Sequence, residues 1–407
     1  MALGPEQEAS PPGATTLDEF EITGFKSHAQ TRLSLGQVNV FVGANGSGKS
    51  SLLEALGVLG AAAEGRVDDA ALKYRGVRPG IPALYKSSFQ AERLPANINL
   101  RATGGEKVEY QVSLNNPLEN PRPEWTYATE RLEIGGNHLV GRSPRSANRG
   151  NPERGLAALK MAEWPPDAPQ SRLLRTLSEY RIFTPTTDVM RGLVPDPAPR
   201  DPIGLSGGQL PEAFEETWAS VAEGQREEIE EHFQTMLDWV AEVRAAPALG
   251  LPLSRSVSTT QNVFKFVDRY MSSDRNTLTS YDASEGALHV VFAAVLCLHP
   301  RTPPVCAIDN IDQGLNPRLA RALIERVCEW TLASGRQLLV TSHNPVLLDG
   351  LPLQDERVRL FTVDRARNGH TVVSRVEVTE RMLELAEQGW TLSRMWVAGH
   401  LGGVPDV

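Results

Sequence analysis

Residues 38–53 read VNVFVGANGSGKSSLL. Within them Gly43-Ala44-Asn45-Gly46-Ser47-Gly48-Lys49-Ser50 fits the phosphate-binding pattern G-x-x-x-x-G-K-[ST]. The flanks agree with it: Val38–Val42 is a β-rich apolar run, and Ser51-Leu52-Leu53-Glu54-Ala55-Leu56 opens a helix. In such a loop the backbone N–H groups of Gly43, Asn45, Gly46, Ser47, Gly48 and Ser51 are free to curl around phosphate oxygens, helped by the positive end of the helix. Lys49 is expected to reach the β- and γ-phosphates and Ser50 to hold Mg²⁺ through its hydroxyl. The stretch predicts binding of a nucleoside triphosphate.

The totals set bounds. A chain of 407 residues is long enough for two lobes or an inserted subdomain. A formal net charge of −9 argues against non-specific coating of nucleic acid, while leaving room for a local basic patch. The three cysteines, Cys297, Cys306 and Cys328, lack disulfide or metal-ligand spacing and read as buried free thiols in a reducing cytosol. Met1–Thr16 reads as a disordered tail without a secretory signal, and the apolar run Ala287–Leu298 is too short to span a bilayer. A cytoplasmic location without membrane contact is expected.

Outward from the loop, Leu17–Leu35 alternates as a pair of strands, and Leu52–Ala63 reads as a buried helix. Runs at 98–101, 108–112 and 132–134, broken by Gly104-Gly105 and Gly135-Gly136, predict hairpins of an antiparallel sheet. Residues 141–171 turn rich in Pro, Gly, Ser and Arg, with positive charge from Arg142, Arg145, Arg149, Arg154 and Lys160 on a solvated loop. Pro211–Ala245 reads as a helical block with Ile229, Phe233, Met236, Leu237 and Val240 on one face. Beyond it, helix and strand alternate from Leu288 to Thr341, which predicts a mainly parallel sheet covered on both faces. Asn368-Gly369 marks a hairpin, and Leu392–Val404 an apolar segment that docks on the body. No heptad array is present, which excludes a long coiled-coil arm.

Three motifs converge on the nucleotide. Val305-Cys306-Ala307-Ile308-Asp309 is an apolar strand ending in a carboxylate, the place and the hard oxygen a Mg²⁺ ion requires. Thr341-Ser342-His343-Asn344 ends the next strand, where His343 can donate to a γ-phosphate or an attacking water. Ala283-Ser284-Glu285-Gly286 sits at the mouth of a buried helix, so that Ser284 and Gly286 can meet an anion or Ser284 can simply cap the helix.

Phe25-Lys26-Ser27, GANGSGKSSLLEAL, Ser284-Glu285-Gly286, AIDNIDQGLNP and TSHNPVLLDG together resemble the RecF/SMC-type AAA ATPases of the ABC superfamily, over about residues 17–402. The likeness is to compact bacterial forms without coiled coils, many resembling ATPase components of anti-phage defence systems. It implies an α/β head with a mixed, mainly parallel core sheet, an antiparallel β subdomain and a helical insertion. The expected division is a tail (1–16), a first ATPase lobe (17–140), a loop-rich and helical insertion (141–260) and a second lobe (261–407). It also implies ATP and Mg²⁺ as cofactors, a homodimer or higher homo-oligomer closed around ATP, Ser284 acting on the partner's nucleotide, and Gln313–Asn316 crossing to the partner site. A separate effector protein is the expected partner, with a DNA-binding repair ATPase and a non-hydrolysing scaffold as the competing readings. No nuclease constellation is visible.

Two departures stand out. Leu205-Ser206-Gly207-Gly208-Gln209 spells the ABC signature but lies about a hundred residues before Asp309, so it is read as a glycine turn and Ser284 as the signature serine. Where the family has a catalytic glutamate, this chain has Asn310, and an amide cannot take a proton from water. Slow hydrolysis follows as the expectation, with Asp312 or His343 as partial substitutes.

Overall fold

The computed structural model describes residues 15–90, 92–143, 150–253 and 262–401. Most of the tail expected over 1–16, the arginines Arg145 and Arg149, and the last residues of the segment expected to dock lie outside them.

Strands β1 (Leu17–Phe25) and β2 (His28–Ser34) form a hairpin, and β3 (Val38–Val42) runs into the phosphate loop. Then come β4 (Ile98–Gly104), β5 (Val108–Asn115), β6 (Thr126–Ile134), β7 (Asn137–Arg142) and the short β8 (Arg181–Phe183). Strands β9 (Val240–Pro247), β10 (Asn262–Asp268) and β11 (Thr277–Thr279) precede β12 (Val305–Ile308), β13 (Gln337–Ser342), β14 (Val358–Arg365) and β15 (Thr371–Val376). They make a six-stranded antiparallel sheet ordered β2-β1-β4-β5-β6-β7, a small sheet β11-β10-β9, and a core sheet β15-β14-β3-β13-β12-β8. The core sheet is parallel except for the β14–β15 hairpin. This is the expected mixed α/β head.

Strand alternation divides the apolar interior in two. On β3, Val38, Val40 and Val42 face one cluster and Phe41 the other; on β12, Cys306 and Ile308 face the first, and Val305 and Ala307 the second. The helix Glu285–Leu298 packs in the first cluster. The phosphate-loop helix Lys49–Glu64 packs in the second, between the core sheet and the antiparallel sheet, which is why its residues are buried almost all round and carry no clean polar stripe. All three cysteines are buried and free.

Three local expectations are corrected. The segment 141–260 is not only loop and helix, because β8 within it forms the edge of the core sheet beside β12. A three-residue strand between a helix and prolines leaves no periodicity to read. The block Pro211–Ala245 breaks into the helices Leu210–Ser220 and Glu223–Met236 followed by β9, so Val240 lies on a strand, its backbone paired with β10. Pairing with a distant strand overrode a helical pattern. Arg142 is not a solvated cation: it is buried and donates to the carbonyls of Asn151 and Arg154 at 3.0 and 2.8 Å. The segment from Leu392 does dock, through the buried Met395 and Trp396.

One buried amide joins the antiparallel sheet to the core. Gln337, at the start of β13, accepts from the Leu17 N–H at 2.8 Å and donates to the carbonyls of Leu17 and Gly36 at 2.8 and 2.7 Å. Gln337→Leu keeps the volume but strands these backbone groups, each costing about 1–3 kcal/mol when buried. A fall in the thermal midpoint of several degrees relative to wild type is expected, and an unchanged midpoint would show that the tie carries no stability.

Candidate nucleotide site

The parallel register of β3, β13 and β12 brings the three motif-bearing strand ends to one edge of the core sheet. Val42 aligns with Ser342, and Ile308 with Val340. Ser50, in the first turn of the phosphate-loop helix, donates its hydroxyl to Asp309 Oδ1 at 3.0 Å across 259 residues of sequence. The same carboxylate oxygen accepts from the Thr341 hydroxyl at 2.5 Å. Asp309 N–H is held by the Phe183 carbonyl of β8 at 2.9 Å. Ser50 and Asp309 thus present two hard oxygens side by side, a donor set that suits Mg²⁺.

Lys49 Nζ donates to the carbonyls of Gly43 and Ala44 at 2.8 and 2.9 Å. Burial pulls its pKa below the usual lysine range, while Asp309 and Asp312 act in the opposite direction. The loop is clamped from outside. His28 Nε2 meets the Gly48 carbonyl at 3.1 Å, and Thr371 Oγ1 donates to the Ser47 carbonyl at 2.6 Å. Gly48 has φ +116, and a Cβ there would come within 2.3 Å of Thr371 Oγ1. At Gly43 a Cβ would sit 2.1 Å from the Val363 carbonyl oxygen. Both glycines are required by close approach.

Beside the loop is a cleft of about 490 Å³, lined by Asn45, Gly46, Gly48, Lys49, Ser50, Ser51 and Asn310 together with Lys26, Arg78, Lys86, Phe89 and Arg365. Its cations suit a polyanion. Lys26 and Arg78 are both paired with Glu54, a buried carboxylate on the phosphate-loop helix. Burial works to raise the Glu54 pKa, but the bonds from Arg78 and Lys26 outweigh it and hold the group ionised, below its ordinary value. Arg78, Lys86 and Arg365 were not legible as site residues. The available signal was Glu54, a lone charge inside LLEALGVLGAAA that had to be paired if buried.

The remaining motif residues fall around this cleft without all lining it. Asn310 is at its wall with φ +56, a left-handed conformation that asparagine tolerates, and its N–H donates to Thr341 Oγ1 at 2.8 Å. Asp312 is buried with Oδ1 unpartnered, and its Oδ2 lies 3.7 Å from Nε2 of the half-exposed His343. Ser284 is exposed and caps its helix, accepting from the Ala287 N–H at 3.3 Å. Ser284 and Gly286 are not part of this chain's own cleft. They adjoin the loop 313–316, since a Cβ on Gly286 would lie 3.6 Å from the Gly314 carbonyl oxygen. Leu205–Gln209 is a turn, with Gly207 at φ +92 and the Asp196 carboxylate accepting from the N–H groups of Ser206 and Gly208 at 3.0 Å each.

The chain is similar to known proteins. The family described as "AAA domain, putative AbiEii toxin, Type IV TA system" matches residues 38–349, most of the chain. The chain belongs to this AAA-domain family. A DNA replication and repair protein RecF from Paenarthrobacter aurescens is 34% identical over 104 residues, which are 25% of each chain. The match thus spans about a quarter of that curated relative. Among solved structures, an Smc head bound to the C-winged helix domain of ScpA superposes with a TM-score of 0.52 at 14% identity, covering 90% of this chain and 99% of that one. An Smc head with an extended coiled coil, bound to the C-terminal domain of ScpA derived from Pyrococcus furiosus, gives 0.51 at 13% identity, covering 92% and 100%. This AAA-family chain therefore has the fold of an SMC head, and a quarter of it resembles RecF. No helix among its described residues is long and apolar enough to cross a membrane, and none of these residues form a His/Cys/Asp/Glu cluster able to hold a metal.

The clamp on the loop gives a pH prediction. Burial pushes His28 down to about 4, and His289 in the helix Glu285–Leu298 likewise to about 4. In the unfolded chain both titrate near 6.5. Between those values the unfolded state binds protons that the native state refuses, so stability falls as pH is lowered from about 6.5 towards 4, by up to about 1.4 kcal/mol per unit and per histidine. Urea midpoints at pH 7 and pH 5 should show this fall. His28→Gln should weaken the fold at pH 7 and flatten the pH dependence; an unaltered slope would mean that His28 protonates freely.

Proposed function

We propose that this chain binds Mg–ATP in the cleft beside residues 43–51, dimerises around it, hydrolyses it slowly, and so controls a separate effector as the ATPase component of a bacterial anti-phage defence system. The observation that carries the nucleotide reading is the Ser50–Asp309 hydrogen bond at 3.0 Å, which sets a phosphate-loop hydroxyl against a strand-end carboxylate. In this reading Lys49 and the loop N–H groups take the phosphates, and Ser50 and Asp309 hold Mg²⁺, which neutralises charge developing on the transferred phosphoryl group. His343, held near Asp312, contacts the γ-phosphate side. Ser284 and Gly286 close the partner's site, which accords with the exposure of Ser284, the position of Gly286 beside the loop 313–316, and the absence of both from their own cleft. The effector role draws on resemblance; the AAA-family description names a toxin system, which accords with a role coupled to another protein.

Slow hydrolysis rests on Asn310. A general base contributes typically 10²–10⁴-fold, and an amide in that position supplies none of it. The RecF segment favours a second reading, a DNA-binding repair ATPase. ATP-dependent retention of duplex DNA with a steep salt dependence would select it.

The test is multi-turnover ATP hydrolysis with mass photometry on the same samples. Wild type should turn over well below the ~10 s⁻¹ median of enzymes and form dimers with ATP, and Lys49→Ala should do neither. Asn310→Glu should turn over faster by about tenfold or more, less than the full base effect because a left-handed glutamate costs roughly 1–2 kcal/mol. Asn310→Asp, which tolerates that backbone better, serves as the conformational control. Brisk wild-type turnover that collapses in Asp312→Asn would instead assign the base to Asp312. ATP-induced dimers without measurable hydrolysis in any variant would select the scaffold reading.

A further inference from the structure

Outside β8, the edge strand of the core sheet, lies a second cavity of about 320 Å³ that shares no lining residue with the phosphate-loop cleft. Arg175 from the helix Pro169–Glu179, Arg181 at the start of β8, and Arg200 line it, along with Thr302 from the turn before β12. A fourth arginine at its wall, Arg301, is already neutralised by Asp201 and Glu216. The other three have no carboxylate within ion-pair distance among the described residues. Arg175 donates to the Pro166 carbonyl at 3.1 Å, Arg181 to the carbonyls of Ser178 and Tyr180 at 3.0 and 2.9 Å and also to the Tyr74 side chain, and Arg200 to the Pro199 carbonyl at 2.6 Å. Glu179, the carboxylate on the same wall, acts on Arg175 and Arg181 only from beyond ion-pair distance.

What gathers the charges is an aromatic ring. Arg181 and Arg200 lie over Tyr74 at 3.9 and 4.2 Å from its centroid. Each guanidinium carries five N–H donors, so most remain uncommitted. Burial pulls the Arg181 pKa down to about 10, with Tyr74 and Glu64 opposing the fall and Arg75 adding to it. Thr302 is 5% exposed and its hydroxyl has no hydrogen-bond partner. A buried idle hydroxyl beside partly exposed like charges is costly to keep without a ligand.

We propose that this cavity is a second anion site, taking a small phosphorylated molecule of about mononucleotide size through the guanidiniums of Arg175, Arg181 and Arg200. The volume falls in the range of small-ligand pockets, guanidinium forks match phosphate oxygens, and Phe183 and Leu205 supply an apolar wall. The site is placed to regulate the nucleotide centre, because Phe183 lines it and the Phe183 carbonyl holds the Asp309 N–H at 2.9 Å. That regulatory consequence rests on the ATPase reading; the binding does not.

The experiment is calorimetric titration of full-length Lys49→Ala protein, whose phosphate loop is disabled, with inorganic phosphate, ribose 5-phosphate and AMP at constant ionic strength. Saturable binding of at least one probe is expected. Adding Arg175→Ala and Arg200→Ala, both on half-exposed positions, should weaken it by about tenfold or more, since each charge-assisted hydrogen bond contributes about 1.5–3 kcal/mol. Thr302→Val, which alters only the hydroxyl, should weaken it several-fold and gives an independent reading if the arginine variant folds poorly. Phosphate binding as tightly as AMP supports a site that reads the anion alone; tighter AMP supports one that also uses the apolar wall. No saturable binding of any probe, or equal affinity in the folded variants, would overturn the site, whatever the outcome of the hydrolysis assay.

Discussion

The contact between the Ser50 hydroxyl and the Asp309 carboxylate is the constraint on which the site depends. It joins segments 259 residues apart, and it exists because three parallel strands end in register. A slip of one residue on β12 would turn Cys306 and Ile308 towards the wrong cluster and Asp309 away from the loop. The apolar alternation that stabilises the sheet therefore also sets the geometry of the Ser50–Asp309 pair. Thr341, on the strand between, secures both Asp309 and the Asn310 backbone, so its hydroxyl positions the whole strand-end carboxylate segment.

Charge is managed around that edge with little slack. Glu54 is buried, which is tolerable only because Lys26 and Arg78 pair with it. The same two cations then line the cleft with Lys49, Lys86 and Arg365, leaving a positive cavity on a protein of formal net charge −9. Local field and total charge need not share a sign, and a ligand responds to the local field. The left-handed Asn310 belongs to the same economy of space: the chain turns sharply after Asp309, and asparagine is a residue type that accepts that turn.

Much of this was legible because it is written locally. The phosphate loop is a contiguous pattern, and Asp309 and His343 are each marked by an apolar run that stops at a polar residue. From these the fold class and the meeting of Ser50 with Asp309 could be anticipated. Arg78, Arg365 and Thr371 were not legible, since their places depend on the antiparallel sheet and β15 folding over the loop, and nothing near them in sequence records it. β8 was hidden for a related reason: three residues carry no period, and the strand exists only because β12 offers an edge. Position outweighed letters in one place. Leu205–Gln209 spells a signature, but its distance from Asp309 argued for a glycine turn, and it is a turn bound to Asp196, while Ser284 opens the helix that precedes β12.

The central claim is that one site binds nucleotide and Mg²⁺ together through Ser50 and Asp309. Calorimetric ATP titrations with and without Mg²⁺, in wild type and in Asp309→Asn, test it most directly. Wild type should bind ATP much more tightly with Mg²⁺ present, and Asp309→Asn should lose most of that enhancement while retaining Mg²⁺-free binding through Lys49 and the loop. ATP affinity indifferent to Mg²⁺ in wild type, or an enhancement undiminished in Asp309→Asn, would contradict the account.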